Sequence, residues 1–142
     1  MQKHRTLDIQ ERLRRAGLRA TRQRIEVLHA LMSAKSPLSV ETLTRSSSAN
    51  YDVATAYRIL DAFTDAGLAK KVELAQGRSF YELEGDHHHH AICTTCGTIS
   101  DIHACLPKGL DEEVRKAARF SSIEEHTLDF FGTCASCAKK YV

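Results

Sequence analysis

At 142 residues, with 42% apolar and 27% charged side chains, the chain has the make-up of a folded globular protein and not of a disordered or fibrous one. No run of about 18 apolar residues occurs and the first twenty residues are too charged for a signal peptide, so no membrane partner is expected and the cytoplasm is the expected compartment. The net charge of +2 is unevenly spread, with 14 Lys/Arg against 9 Asp/Glu over residues 1–83 and 6 against 9 over residues 84–142, which points to a polyanion partner for the front and a cation or protein partner for the rear.

In chain order, Leu7, Ile9 and Leu13 predict a first helix that stops at Gly17. Thr21 can cap a second helix carrying Ile25, Leu28, Leu31 and Met32 at helical spacing, and Pro37 breaks the chain after it. Ser39 fits the N-cap of a short helix through Val40 and Leu43, and residues 45–50 are turn-like. Asp52 then caps a helix from about Val53 to Ala66 with Ile59, Leu60 and Phe63 as its buried side and Gly67 as its stop. Beyond Gly67 the period drops to two, so Leu68–Leu74 and Ser79–Leu83 read as a hairpin turning at residues 75–78. Helices followed by a hairpin outline a winged helix-turn-helix, whose last helix enters the DNA major groove; a generic helix-plus-hairpin fold is the alternative. In the second half, residues 89–93 and 98–103 read as strands, Leu110–Phe120 as a helix with Val114, Ala117 and Ala118 facing inward, and Ser122–Phe131 as strand-like.

Two Cys-x-x-Cys pairs, Cys93/Cys96 and Cys134/Cys137, are separated by 37 residues. Each such turn sets two sulfurs on one ion, and two turns complete a closed tetrahedron, which makes a structural zinc site the expectation. Redox pairs and unrelated core cysteines are the competing readings. Four consecutive histidines, His87 to His90, stand just upstream. Along a strand alternate residues share a face, so His88 and His90 point one way and His87 and His89 the other, enough for two separate metal sites. A surface histidine cluster without a role is the plainer alternative. Cys105 stands apart, as a small buried residue or a reactive thiol.

These residues resemble the ferric uptake regulator family of metal-dependent repressors. The resemblance is carried by Gly17-Leu-Arg-Ala-Thr-Arg-Gln-Arg24, Val53-Ala-Thr-Ala-Tyr-Arg58, Phe80-Tyr-Glu82, and the run from His87 to Gly97. It continues through Asp101 and His126 to Gly132-Thr-Cys-Ala-Ser-Cys137. It implies an α+β chain, with a winged-helix DNA-binding domain over residues 1–84 and an α/β dimerisation and metal-binding domain over residues 85–142. It further implies a regulatory divalent metal (Fe2+, Mn2+ or Zn2+) held by Glu82, His88, His90 and Asp101, in addition to the structural Zn2+. A further site draws on His87, His89, His126 and a carboxylate at Asp111 or Glu112. Ala54, Thr55, Tyr57 and Arg58 are the implied major-groove residues, with Arg19 reaching the minor groove of a double-stranded operator. The expected protein is thus a homodimeric repressor of metal-uptake or oxidative-stress genes, and not an enzyme.

Departures from the family pattern shape the rest. Lys35-Ser36-Pro37 stands where many members place an interdomain histidine ligand, leaving His29 as a substitute. Glu82 stands where zinc-sensing relatives often use cysteine, which favours iron or manganese, and Asp101 matches the peroxide-sensing branch. Arg22 replaces a common proline and Ala56 a common valine. A zinc-uptake or peroxide-sensing regulator is the alternative within the family. A zinc hydrolase or nucleobase deaminase is a remote one, because the His-x-Glu element of deaminases does not occur. A thiol oxidoreductase is the other.

Overall fold

The computed structural model describes residues 2–46, 51–74, 77–85, 87–104 and 109–140. Cys105, Asp86, the hairpin residues Ala75 and Gln76 and the end of the turn-like tract at 47–50 lie outside the described residues. The chain divides into two compact units, Met1–Gly85 and Asp86–Val142.

The first unit runs α1 (Gln2–Arg15), α2 (Arg22–Ser33), α3 (Val40–Ser46), α4 (Val53–Asp65), β1 (Ala69–Leu74) and β2 (Arg78–Leu83). Its helices begin where side-chain oxygens can satisfy their free N–H groups. Thr21 Oγ1 accepts from Arg24 N–H at 3.3 Å, Ser39 Oγ from Thr42 N–H at 3.1 Å, and Asp52 Oδ1 from Thr55 N–H at 2.8 Å. The Thr55 hydrogen bond also holds the Asp52 carboxyl below its ordinary pKa. α4 stops before Gly67, whose φ of 74° lies in the left-handed region that an L-residue with a Cβ disfavours. β1 and β2 pair antiparallel with Ala69 opposite Leu83, and Leu38 adds a single bridge to Tyr81 through two 2.8 Å hydrogen bonds. Together these make a winged helix-turn-helix.

Ile9, Leu13, Val27, Leu28, Leu31, Leu43, Ile59, Leu60, Phe63 and Tyr81 form the centre of one apolar core. Two details differ from the sequence expectation. Leu7 is 61% exposed, because two residues along a helix are some 200° of turn and place it away from the Ile9–Leu13 face. Val27 is fully buried and does as much for α2 as its neighbour Leu28.

The second unit holds β3 (His89–Cys93), β4 (Ile99–Ile102), α5 (Leu110–Ala118), β5 (Asp129–Gly132) and α6 (Ala135–Lys139). Its sheet has the order β4-β3-β5, with β3 antiparallel to β4 and parallel to β5. The expected strand over 122–131 shrinks to β5, since residues 123–128 adopt no regular structure and only 129–132 find a partner in β3. α6 was not expected; Cys134 caps it by accepting from Cys137 N–H at 3.4 Å. α5 also departs from expectation. Val114 is 46% exposed and no residue of the helix is buried, so the expected inner face has no cover among the described residues.

Candidate metal centres

The parallel register sets Cys93 beside Gly132, which delivers the second Cys-x-x-Cys turn next to the first. Thr94 N–H donates to the Gly132 carbonyl at 2.8 Å and its hydroxyl to the same oxygen at 3.2 Å, tying the two turns together. Gly97, at φ 76°, closes the first turn by donating to the Cys93 carbonyl at 2.9 Å. One sulfur from each of Cys93, Cys96, Cys134 and Cys137 lies within 4.8 Å of the others, and Cys96 and Cys134 are 3.8 Å apart. Two thiolates at about 2.3 Å from one tetrahedral zinc stand about 3.8 Å apart, so the residues fit the ion.

The thiols' electrostatics agree with that fit. Backbone N–H groups, first that of Cys134 at 3.3 Å, lower the Cys93 thiol to about 5, while Cys137 is pushed up to about 12 by its contact with the Cys134 sulfur and by burial. Cys96 is lowered too, first by its contact with the Thr98 hydroxyl, so ionisation is favoured on the first cysteine pair and opposed at Cys137. A divalent cation removes that opposition, because coordination deprotonates a thiol outright.

The four histidines part into two groups. His87 Nε2 lies 3.2 Å from His89 Nε2 and 3.1 Å from His126 Nε2, so three imidazole nitrogens converge on one point. Nitrogens bound to one zinc at 2.0–2.1 Å stand about 3.3 Å apart, close to what is seen. Burial, then the neighbouring His87 and His126, keeps His89 below its ordinary pKa and therefore in the neutral form that ligates metals. Asp111 approaches this group from behind, its Oδ1 3.0 Å from His126 Nδ1. Its place is that of a carboxylate that orients a ligand histidine, not of a fourth donor facing the converging Nε2 atoms. Glu112 is engaged elsewhere, in a bidentate pair with Arg115 at 2.6 and 2.8 Å.

On the other side of β3, single donor atoms of His88, His90 and Asp101 lie within 4.8 Å of one another. His90 is buried and stands opposite Asp101 in the antiparallel register, with Nε2 3.7 Å from Asp101 Oδ1. That oxygen is itself buried and accepts no hydrogen bond from any described residue, a polar atom suited to a cation. Asp129, which sequence reasoning missed, stands opposite His90 on β5 with Oδ1 3.6 Å from His90 Nδ1. Only the pairing of β3 with β5, 39 residues apart in sequence, brings it there. Glu82 lies in the first unit, buried on β2 with Oε1 3.6 Å from Lys70 Nζ.

In the first unit, Ala54, Tyr57 and Arg58 occupy the exposed side of α4, Thr55 is half-buried at its first turn, and Ala56 is fully buried in the core. Arg19 is exposed in the loop before α2, with its carbonyl accepting from Arg24 at 3.1 Å. His29, the sequence substitute for the absent interdomain ligand, is exposed on α2 and belongs to none of the three donor groups. No helix among the described residues is long and apolar enough to cross a membrane.

A helical side suited to a DNA groove and donor sets suited to divalent ions, carried on one chain, define the class: a metal-responsive transcriptional regulator. Known proteins narrow the class. The model of the ferric uptake regulator family matches residues 15–131. The peroxide operon regulator of Bacillus subtilis is 31% identical over 145 residues, covering 99% of this chain and 98% of its own length. The ferric uptake regulation protein of Neisseria meningitidis serogroup A is also 31% identical, over 133 residues, 90% of this chain and 92% of its own. Among solved structures, the ferric uptake regulator of Helicobacter pylori, described as having three functional metal-binding sites, matches with a TM-score of 0.74 at 27% identity over 94% of this chain and 93% of that one. The chain belongs to the ferric uptake regulator family.

Proposed function

We infer that this chain is a homodimeric cytoplasmic repressor whose hold on a DNA operator is set by iron(II) or manganese(II) at His88, His90 and Asp101. The observation that carries the reading is the parting of four consecutive histidines into two converging donor groups, one of which includes a buried carboxylate oxygen. Glu82 joins the ligand set by family resemblance. Cys93, Cys96, Cys134 and Cys137 hold a structural zinc, and a closed four-thiolate site leaves no position for exchange. His87, His89 and His126 form a further site with Asp111 behind it.

The residues divide the work. Ala54, Thr55, Tyr57 and Arg58 meet the major groove and Arg19 the minor groove, while the other basic side chains of the first unit neutralise phosphates. The regulatory ion supplies positive charge and a fixed coordination geometry. Its binding favours the DNA-binding state, since a ligand shifts a conformational equilibrium by its differential affinity for the two states. Twofold dimers read twofold operators, and the exposed Leu110, Val114, Phe130 and Phe131 supply an apolar surface for the second copy.

The test selects duplexes from random DNA with the manganese-loaded protein, then titrates binding with iron(II), manganese(II) and zinc(II) under anaerobic conditions. Binding should need the labile ion and fall on its chelation while thiolate-bound zinc remains. Affinity indifferent to chelation and to all three metals overturns the reading. Peroxide sensing is the second reading, favoured by Asp101 and by the Bacillus subtilis relative. It expects a one-oxygen mass gain on a ligand histidine and loss of DNA binding when the iron-loaded protein meets hydrogen peroxide.

A further inference from the structure

Three donors from the second unit are fewer than a divalent transition ion takes, and the sheet register points to where another lies. β3 and β4 pair with His89 opposite Ile102 and His90 opposite Asp101. Carried one step beyond its paired residues, the same antiparallel register sets His88, just before β3, across from His103, just past β4. Residues two apart in extended chain share a face, so His88, just before β3, and His90 on it, with Asp101 on β4 and His103 just past it, fall at the four corners of one patch.

The rings bear this out. His88 and His103 have centroids 5.8 Å apart at 45°, little beyond the 4.9 Å between His88 and His90. His103 is exposed, and among the described residues no hydrogen bond or ion pair holds it. Its imidazole is therefore free to turn, and the direction with a reason to be favoured is toward the other donors. We propose that His103 is a protein ligand of the regulatory ion, a third imidazole beside His88 and His90. The proposal rests on the reading of His88, His90 and Asp101 as the regulatory site.

A consequence separates it from a surface ring contact. A third nitrogen beside the carboxylates of Asp101 and Glu82 tilts the site toward ions late in the first transition row and away from manganese, whose preference is for oxygen donors. Removing one imidazole should therefore weaken cobalt(II) more than manganese(II), whereas a packing role would not discriminate between them.

The experiment uses the full chain with zinc in its thiolate site and His126→Ala to silence the other histidine group. Cobalt(II) is the probe. X-ray absorption should count three imidazoles on the added cobalt, and two after His103→Ala, with thiolate-bound zinc unchanged. Cobalt affinity should fall at least about tenfold, the scale on which loss of a supporting group at a metal site is felt, and manganese affinity less. An unchanged imidazole count and unchanged affinity in His103→Ala, with both lost in His90→Ala, overturns the role of His103 and leaves the regulatory site standing. Cobalt bound as before in both His90→Ala and His88→Ala overturns the site itself, and His103 with it.

Discussion

Leu13, Val27, Leu28, Leu60 and Phe63 close the first unit around an apolar core, whereas the buried side chains among the described residues of the second unit are His89, His90, Cys93 and Cys137. Every one of those four belongs to a donor group. Of the larger apolar side chains there, Leu110, Val114, Phe120, Phe130 and Phe131 are exposed, and Ile92, Ile99, Ile102, Ile123 and Leu128 only half-buried. A unit this small buries little surface and has a thin margin of stability from apolar burial, so a bound ion adds a large share of it. In the first unit cohesion comes from water leaving hydrocarbon; in the second, the best-buried side chains are metal donors, and the proposed ion and second copy would do much of that work. Metal binding free energy would then be folding free energy, and on the proposed reading the unit that senses an ion is also the unit that depends on one.

The largest expected break in this contrast is Cys96→Ser. Zinc coordination contributes on the order of 10 kcal/mol to small zinc-bound folds, so amide exchange protection in β3, β4 and β5 should collapse while α4 keeps its own. Protection that survives in the zinc-free sheet would mean the second unit has a core independent of the ion. Next in size is the converse, Phe63→Ala, expected to cost about 3–5 kcal/mol by leaving a cavity in the first unit. Zinc content measured by thiol-displaced release should stay unchanged; a fall in zinc would show that the two units do not fold separately.

His90→Ala should abolish the metal response of DNA binding and spare the thiolate zinc, sharpening the contrast within the second unit between an ion that holds and an ion that signals. Joint loss of both ions would erase that distinction. Arg58→Ala follows, with operator affinity down by about 1–3 kcal/mol at fixed salt and a normal metal content; unaltered binding would move the reading side away from α4. The smallest effect is Asp52→Ala, which removes the cap of α4 and should lower the first unit's stability by about 1 kcal/mol without touching either ion.

Much of this was legible in the chain because it is local. Thr21, Ser39 and Asp52 announce helix starts through a side chain and an N–H three residues on, and the Cys-x-x-Cys turns and alternating histidines carry their geometry within a few residues. Where the reading failed, the cause was a missing partner in sequence space. The strand over 122–131 was legible as alternation but was realised only over the four residues that reach β3. α5 was given an inner face by its periodicity, and periodicity does not say whether the covering surface belongs to the same chain.

By itself the sequence determined the four helices of the first unit, the caps at Thr21, Ser39 and Asp52, the wing, the two thiolate turns and the separation of odd from even histidines, since each depends on neighbours along the chain. Only the tertiary structure decided that Cys93 meets the turn after Gly132, that Asp129 stands at His90, that Asp111 lies behind His126 and that His103 faces His88. Those are matters of strand register and chain return, and a register is chosen by the whole sheet at once.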